Sequence, residues 1–447
     1  MPSLLALVLL VPPALSLPST CSQPADPCLP GGKYDPLLGK CQGYGGASCF
    51  GCYKGEFCDV LDAECTLGVG GGQPVLFQEY WETVDVCDET GMDFQTGRNI
   101  GESNYQPLED QIRLLHANVG NAETEGYTIV LGEGATGVMN AVMYALAATS
   151  AANETRSVFA QAPYYGNYVA QTWNAMAVDS DLNRHVLQWD EAADVDSEST
   201  FEIVTYPNNP DGALRSPHVS PSRAVFDCIY YWPQFASVDR KMAEDVMLFS
   251  ASKHTGHAGT RLGWALVKDA AFAGHMKDFV QRSLGVSMDA QLRQAYALAH
   301  INAQWADGGA HAYYEFGAGK IAARFDAVAA LFADPETGQL RERNGVAMMN
   351  NGARGAYVWL KCADGVDCQA LLAGEARVAG TGGAGYGVGA EYARLQMMAR
   401  TVEMDDLLER LGDFLGGDSG DVTRDWRGMY GKEMWEGKER EGMTGGC

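Results

Sequence analysis

The stretch 249–268, FSASKHTGHAGTRLGWALVK, places one lysine among small and hydrogen-bonding residues. Lys253 carries a primary amine that can condense with an aldehyde, and desolvation or nearby cations keep such an amine reactive. Arg261 follows eight positions later, and a guanidinium can bind a phosphate through two parallel hydrogen bonds. Ser252 adds a hydroxyl donor beside the lysine. This combination predicts a binding site for an aldehyde that also carries a phosphate.

Other polar residues follow strand-like runs elsewhere in the chain. Asn209 comes after FEIVTYPN, Asp227 ends AVFD, and Thr136 lies in a glycine turn where a helical pattern begins. Ligands of open parallel sheets bind at the carboxyl ends of the strands, so these residues should meet there. A carboxylate can pair with a pyridinium nitrogen, and a helix N-terminus can bind phosphate. The set predicts pyridoxal 5'-phosphate as the cofactor.

Each of these residues also has an ordinary structural interpretation. A single lysine after a strand is usually solvated, Asp227 could be an ion-paired core acid, and Asn209 could belong to a simple turn. Their order at successive strand ends favours the cofactor site. His254 and His257 could suggest a metal, but no carboxylate or thiol stands at ligand spacing in that segment, so no metal site is predicted.

The elements that must position these residues alternate between strands and helices from Val75 onward, which is typical of an α/β domain with a mostly parallel sheet. RLGWALVK follows the preceding strand too closely for a helical crossover, so we expect it to run antiparallel. Helical patterns continue to about residue 343. GAYVWLKC and EYARLQMMA then indicate a smaller C-terminal α+β part. We predict a large domain at 73–343 and a small one at 344–447.

The N-terminal region has a different composition. Residues 1–16 predict a secretory signal peptide; a membrane anchor is the alternative, although Pro12 and Pro13 break the short apolar run. Seven of the twelve cysteines lie between Cys21 and Cys65, so residues 17–72 predict a disulfide-rich module. Zinc binding at Cys49-x-x-Cys52 is the alternative.

Two further sequence features bear on processing and partners. Cys362 and Cys368 could close a small loop, and Asn153 begins the one N-glycosylation sequon. The formal net charge of −25 argues against nucleic acid or an anionic membrane surface as a partner. No segment after the N-terminal run is long and apolar enough to span a bilayer.

The segment SKHTGHAGTRLGWALVKD closely resembles the cofactor-lysine segment of alliinases and the related tryptophan aminotransferases of plants. YPNNPDG and VFDCIYYWPQF resemble two other segments of this family in the same order; LFQEYW, APYY, LKCADGVDC and EYARLQM are also similar. The resemblance runs with gaps from about Cys41 to the end. It implies the fold type I pyridoxal-phosphate architecture and a homodimer with active sites at the interface.

The resemblance also implies a role for each matching residue. Lys253 would be the Schiff-base lysine, and Asp227 would pair with the pyridinium nitrogen. Asn209 and Tyr230 would form hydrogen bonds with the pyridine 3-oxygen, and Tyr165 would stack on the ring. Arg394 would bind the substrate α-carboxylate, and the phosphate ligands would be Ala135, Thr136, Ser252 and Arg261. Without the resemblance, Arg394 could equally be an ordinary surface arginine.

The Cys-rich segment resembles the EGF-like module that precedes some alliinases. This implies the bridges Cys49–Cys58 and Cys52–Cys65, with Cys41 paired to either Cys28 or Cys21. Residues 91–105 depart from the family pattern in a region that helps to shape the substrate pocket.

We therefore expect an enzyme that acts on small L-amino acids. We expect it to enter the secretory pathway and to be extracellular or vacuolar. The favoured reaction is carbon–sulfur bond cleavage by α,β-elimination on S-substituted L-cysteines or their sulfoxides. Transamination, for example of an aromatic amino acid, is the first alternative. A secreted binding protein with an inactive enzyme domain is the second, and intact Lys253, Asp227 and Arg261 count against it.

Overall fold

The computed structural model describes residues 51–81 and 106–416, except 73, 75, 152–153, 176–185, 307–310 and 351–353, and short pieces at 28, 33–35, 40–42 and 49. Several predictions fall outside the described residues. They concern the signal peptide at 1–16, Cys21, the divergent segment 91–105 and the sequon at Asn153.

The described pieces of the Cys-rich region contain very short strands and several disulfides. Bridges link Cys28 to Cys41, Cys49 to Cys58 and Cys52 to Cys65. The two pairings implied by the family resemblance are confirmed, and Cys28 is the partner of Cys41. The zinc alternative is wrong, because Cys49 and Cys52 belong to different disulfides. The strands are β1 (Lys33–Asp35), β2 (Lys40–Gln42), β3 (Tyr53–Lys54), β4 (Val60–Leu61) and β5 (Leu67–Gly68).

A seven-stranded sheet forms the centre of the large domain, in the order β6-β12-β11-β10-β9-β7-β8. The strand β12 runs antiparallel to its neighbours β6 and β11, as RLGWALVK predicted, and the remaining strand pairs of this sheet are parallel. The edge strand β8 is one that the sequence patterns did not reveal. The strands are β6 (Thr128–Glu133), β7 (Arg156–Phe159), β8 (Leu187–Trp189), β9 (Thr200–Thr205), β10 (Ala224–Asp227), β11 (Val246–Ser250) and β12 (Leu262–Val267).

Apolar side chains cover both faces of this sheet. All five residues of β11 are buried, and they alternate between two hydrophobic clusters: Met247 and Phe249 join one, Val246 and Leu248 the other. A strand buried on both faces needs such a continuous apolar sequence. The helices of this part are α1 (Leu76–Trp81), α2 (Gln106–Val119), α3 (Gly134–Ala148), α4 (Asn167–Ala175), α5 (Ala251–His254), α6 (Ala270–Gln281), α7 (Met288–Ala306) and α8 (Ala312–Phe332).

The C-terminal part contains a four-stranded antiparallel sheet in the order β13-β14-β17-β16. The helix α8 ends at Phe332, earlier than the predicted helical stretch to residue 343. Cys362 and Cys368 form the predicted disulfide. The elements are β13 (Val346–Met348), β14 (Tyr357–Cys362), α9 (Cys368–Leu371), β15 (Val378–Ala379), β16 (Thr381–Gly382), β17 (Tyr392–Gln396) and α10 (Thr401–Phe414).

This mixed α/β architecture with a disulfide-rich N-terminal region is the predicted fold class. The domain boundaries at 73, 343 and 344 stay predictions. Among the described residues, none of the helices is long and apolar enough to cross a membrane.

Candidate active site

A cavity of about 410 Å³ lies where the carboxyl ends of the central strands meet the small sheet. All ten residues predicted for the site line this cavity. They come from segments as distant as Ala135 and Arg394, so the fold brings together side chains that are far apart in sequence. The individual roles of these residues stay predictions. The surroundings of each residue bear on its role.

Lys253 lies in α5, directly after β11. The Ser250 hydroxyl caps this short helix by accepting a hydrogen bond from the Ser252 amide at 3.2 Å. The pKa of the Lys253 amine is lowered to about 7, chiefly because burial disfavours its charged form. Arg394 and Arg261 act in the same direction, whereas Asp227 opposes them. A lysine in this environment is partly neutral near pH 7 and can act as a nucleophile or base.

Asp227 is the last residue of β10 and is only 4% exposed. Burial raises the pKa of its carboxyl group to about 6. The Tyr168 hydroxyl donates to Oδ2 at 2.6 Å and limits this rise. A buried carboxylate of this kind is suited to pair with a cationic ring nitrogen in the cavity.

The N-terminus of α3 forms another wall of the cavity. Gly134 has a φ of +69°, and a Cβ at this position would lie 2.5 Å from Arg261 Nη2. Arg261 Nη2 donates to the Glu133 carbonyl at 3.1 Å, which holds the guanidinium beside the first turn of α3. Ala135 and Thr136 are in this first turn. A helix N-terminus next to a guanidinium attracts a phosphate dianion.

Arg394 lies on β17 and is 6% exposed. Its Nη1 donates to Asn209 Oδ1 at 2.8 Å, and its guanidinium carbon lies 4.0 Å from the centre of the Tyr357 ring. The buried Nε atom has no hydrogen-bond partner among the described residues. The alternative of a surface arginine is wrong, because the side chain is buried and points into the cavity. A buried cation with an unused donor is suited to bind a carboxylate.

Two tyrosines define the walls between these groups. Tyr165 is 38% exposed, and its ring makes an edge contact with Tyr168 at 5.4 Å. Tyr230 is buried, its hydroxyl forms a hydrogen bond with the Tyr357 hydroxyl, and its ring centre lies 5.9 Å from Lys253 Nζ. Both rings can contact a planar ligand in the cavity.

Sequence reasoning missed several residues that line the cavity, among them Tyr168, Tyr357 and the glycines at 70, 71 and 72. Tyr168 lies three residues after the predicted Tyr165, and this closeness in sequence is the signal that could have indicated it. For Tyr357 and the glycines, the sequence offers no comparable signal. The glycines lie at the end of the predicted module at 17–72, yet Lys253 Nζ donates to the carbonyl of Gly72.

The chain matches known proteins over most of its length. The Alliinase_C family model, described as Allinase, matches residues 67–415. A tryptophan aminotransferase-related protein 2 of Oryza sativa subsp. japonica is 34% identical over 79% of this chain and 74% of the relative. An alliin lyase of Allium cepa var. aggregatum is 29% identical over 80% of this chain and 84% of the relative.

Solved structures agree on the fold. An aminotransferase from Staphylococcus aureus superposes with a TM-score of 0.58 at 16% identity, covering 81% of this chain and 99% of that one. The fold and the comparisons define a fold type I aminotransferase-like architecture, as predicted. The chain belongs to the alliinase family, which includes the alliin lyases and the tryptophan aminotransferase-related proteins.

Proposed function

We propose that this protein is a pyridoxal-phosphate-dependent carbon–sulfur lyase that cleaves S-substituted L-cysteines or their sulfoxides by α,β-elimination. The observation that carries the proposal is the convergence of Lys253, Asp227 and Arg394 on one cavity. Pyridoxal-phosphate-dependent reactions of amino acids need a reactive amine, a buried carboxylate and a carboxylate-binding guanidinium.

The charged groups that line the cavity support pyridoxal phosphate as the cofactor. The buried Asp227 carboxylate would hold the ring nitrogen protonated, and the α3 N-terminus with Arg261 and Ser252 would bind the phosphate. Tyr165 would stack on the ring, and Asn209 and Tyr230 would contact its 3-oxygen. When bound, the cofactor supplies an electron sink that weakens the bonds at the substrate Cα.

Lys253 would first hold the cofactor through its amine and then, once released, act as the base. Because its pKa is lowered to about 7, Nζ can accept the Cα proton near neutral pH and can return a proton to a leaving group. Arg394 would orient the substrate by a two-pronged ion pair with the α-carboxylate. The Tyr357 ring beneath the guanidinium would help to keep Arg394 in place.

Loss of the Cα proton can be followed by two outcomes. If the β-carbon carries a sulfoxide, the C–S bond breaks, a sulfenic acid leaves with a proton, and the remaining three-carbon fragment hydrolyses to pyruvate and ammonia. The disulfide-rich module and the similarity to alliin lyases support this outcome. Transamination is the second candidate, and the 34% identity to a tryptophan aminotransferase-related protein favours it.

We also propose that the protein is a homodimer of the secretory pathway, extracellular or vacuolar. The family architecture supports the dimer, in which the active sites would lie at the interface. The four disulfides among the described residues are typical of proteins that fold in an oxidising compartment.

One assay separates the two candidate reactions. The purified full chain, loaded with pyridoxal phosphate, is incubated with an S-alkyl-L-cysteine sulfoxide in the absence of any oxo acid. Release of pyruvate and ammonia in equal amounts is expected, and a Lys253→Ala variant should release neither. Turnover that requires an added oxo-acid acceptor would contradict the lyase and support the aminotransferase.

A further inference from the structure

The proposed chemistry leaves the Cys-rich module without a role, yet the chain runs directly from this module into the cavity. Cys65 forms the last disulfide of the module, with Cys52. Gly70, Gly71 and Gly72 follow shortly afterwards and line the cavity. The structure therefore connects a disulfide bond to the active site through a short segment, residues 66–72.

This segment is anchored to the C-terminal part of the chain by backbone hydrogen bonds. The strand β5 pairs in parallel with β15. The Val69 amide donates to the Ala379 carbonyl at 2.8 Å, and the Gln396 amide donates to the Val69 carbonyl at 2.9 Å. The side chains of Leu67 and Val69 are 1% and 0% exposed. The path of the backbone is thus fixed up to the edge of the cavity.

Within the cavity, the glycine carbonyls contact the two basic groups that the proposed mechanism uses. Arg394 Nη2 donates to the carbonyls of Gly70 at 2.7 Å and Gly71 at 3.1 Å, and Lys253 donates to Gly72. The Thr381 hydroxyl also donates to the Gly70 carbonyl, at 2.6 Å. The position of these carbonyls decides which N–H groups of Arg394 can face a substrate carboxylate.

The module end of the segment is held by arginines of the small domain. Arg410 donates to the Cys65 carbonyl and forms an ion pair with Asp406 at 2.7 Å. Arg377 donates to the Ala63 carbonyl at 2.9 Å. Cys52 is 3% exposed and belongs to the main hydrophobic core, and Cys65 packs against it. Cys49 and Cys58 belong to a separate small cluster instead.

We propose that the Cys52–Cys65 disulfide and Thr381 are positioning elements of the amino-acid site: they hold the carbonyls of residues 70–72 against Arg394 and Lys253. Reduction of this bridge loosens the segment and weakens amino-acid binding, whereas reduction of Cys49–Cys58 does not. The inference rests on the proposed function, because it assigns Arg394 to the substrate carboxylate.

The disulfide part is tested with the double variant Cys52→Ser/Cys65→Ser and the matched control Cys49→Ser/Cys58→Ser. The probe is α-aminoisobutyrate, which has the amine and carboxylate of a substrate but no Cα proton, titrated against the visible absorption of the cofactor-loaded full chain. We expect the dissociation constant to rise about fivefold or more in the first variant only. An equal rise in both variants, or none in the first, would overturn the proposal.

Thr381→Val provides a second test that does not depend on folding without a disulfide. Removal of the hydroxyl should raise the dissociation constant for α-aminoisobutyrate by about fivefold while the affinity for pyridoxal phosphate stays the same. Thr381→Ser, which keeps the hydroxyl, should restore binding. Unchanged binding in Thr381→Val, or a parallel loss of cofactor affinity, would contradict a positioning role.

Hydrogen exchange of the cofactor-free protein separates this inference from the proposed function. The amides of residues 67–72 should exchange faster in Cys52→Ser/Cys65→Ser than in the parent, and at the parent rate in the control. If the parent binds no amino acid, the proposed function fails, but this exchange still decides whether the disulfide holds the segment. Equal exchange in all three proteins would overturn the inference.

Discussion

At the residue scale, the site combines two ionisable groups whose charged forms are disfavoured by burial. The pKa of Asp227 is raised to about 6 and that of Lys253 is lowered to about 7. Such opposite shifts in one cavity are typical of functional sites, where stability is lost to create reactive groups. This loss of stability should be measurable in the cofactor-free protein.

The first prediction concerns the stability of the cofactor-free protein. Because folding raises the pKa of Asp227, its carboxyl group binds more protons in the folded than in the unfolded protein between about pH 4 and 6. The free energy of unfolding therefore falls as the pH rises through that window. Asp227→Asn removes the charge and can still accept the Tyr168 hydrogen bond. Urea unfolding at pH 7 should show a gain on the order of 1–3 kcal/mol.

The same variant should bind pyridoxal phosphate more weakly, because the partner of the ring nitrogen has lost its charge. Equilibrium dialysis measures this loss. A variant that is less stable at pH 7 and still binds the cofactor as well as the parent would contradict the role of Asp227.

A second prediction at this scale concerns Arg394. Arg394→Lys keeps a positive charge but cannot form the two-pronged pair, so the KM for the amino acid should rise between about tenfold and a hundredfold. Cofactor content should not change, because the phosphate is assigned to Ala135, Thr136, Ser252 and Arg261 and not to Arg394. Steady-state kinetics and absorption spectra test both parts, and an unchanged KM would refute the carboxylate role.

At the scale of elements, the phosphate end depends on how closely β12 approaches the start of α3. A Cβ at Gly263 would lie 2.5 Å from the Gly134 carbonyl carbon and 2.7 Å from the Ala135 nitrogen. These are backbone atoms that cannot move alone. A side chain here must displace the first turn of α3, which is the turn proposed to bind phosphate.

The third prediction follows from this contact. Gly263→Ala should destabilise the protein by about 1–3 kcal/mol and weaken pyridoxal-phosphate binding. Gly274→Ala is the matched control: this glycine lies in α6 with open space around its Cβ position, so the change should be neutral or slightly stabilising. Thermal unfolding and cofactor titration compare the two variants, and equal behaviour would contradict the close-approach argument.

At the scale of the whole molecule, much of the fold could be predicted because the signals for its strands lie within short stretches of sequence. Buried strands such as β11 appear as apolar runs, and polar residues directly after them must meet at one edge of a parallel sheet. This is why Lys253, Asp227 and Asn209 could be placed together in advance. The disulfides Cys49–Cys58 and Cys52–Cys65 came instead from the family resemblance.

The rest depended on contacts between segments that are distant in sequence. Tyr357 enters the cavity from the small sheet, and Gly70–Gly72 enters it from the N-terminal side; no spacing in the sequence connects either to Arg394. The short edge strand β8 has only three residues, Leu187–Trp189, too few to show a pattern. Helix α8 ends at Phe332, before the predicted end of the helical patterns at about residue 343.

The fourth prediction is also at this scale. We expect the full chain to sediment as a homodimer at micromolar concentration, since the proposed active sites lie at an interface between two copies. Sedimentation velocity of the cofactor-loaded protein measures this. A monomer with full turnover would contradict the interface assignment and leave the cavity residues as the complete site.

The central claim is that the amine of Lys253 binds pyridoxal phosphate covalently. Borohydride reduction of the loaded full chain, followed by proteolysis and mass spectrometry, tests it directly. The visible absorption band should disappear, and a reduced phosphopyridoxyl group should be found on the peptide at Lys253. An adduct on another lysine, or no adduct although cofactor was present, would contradict it.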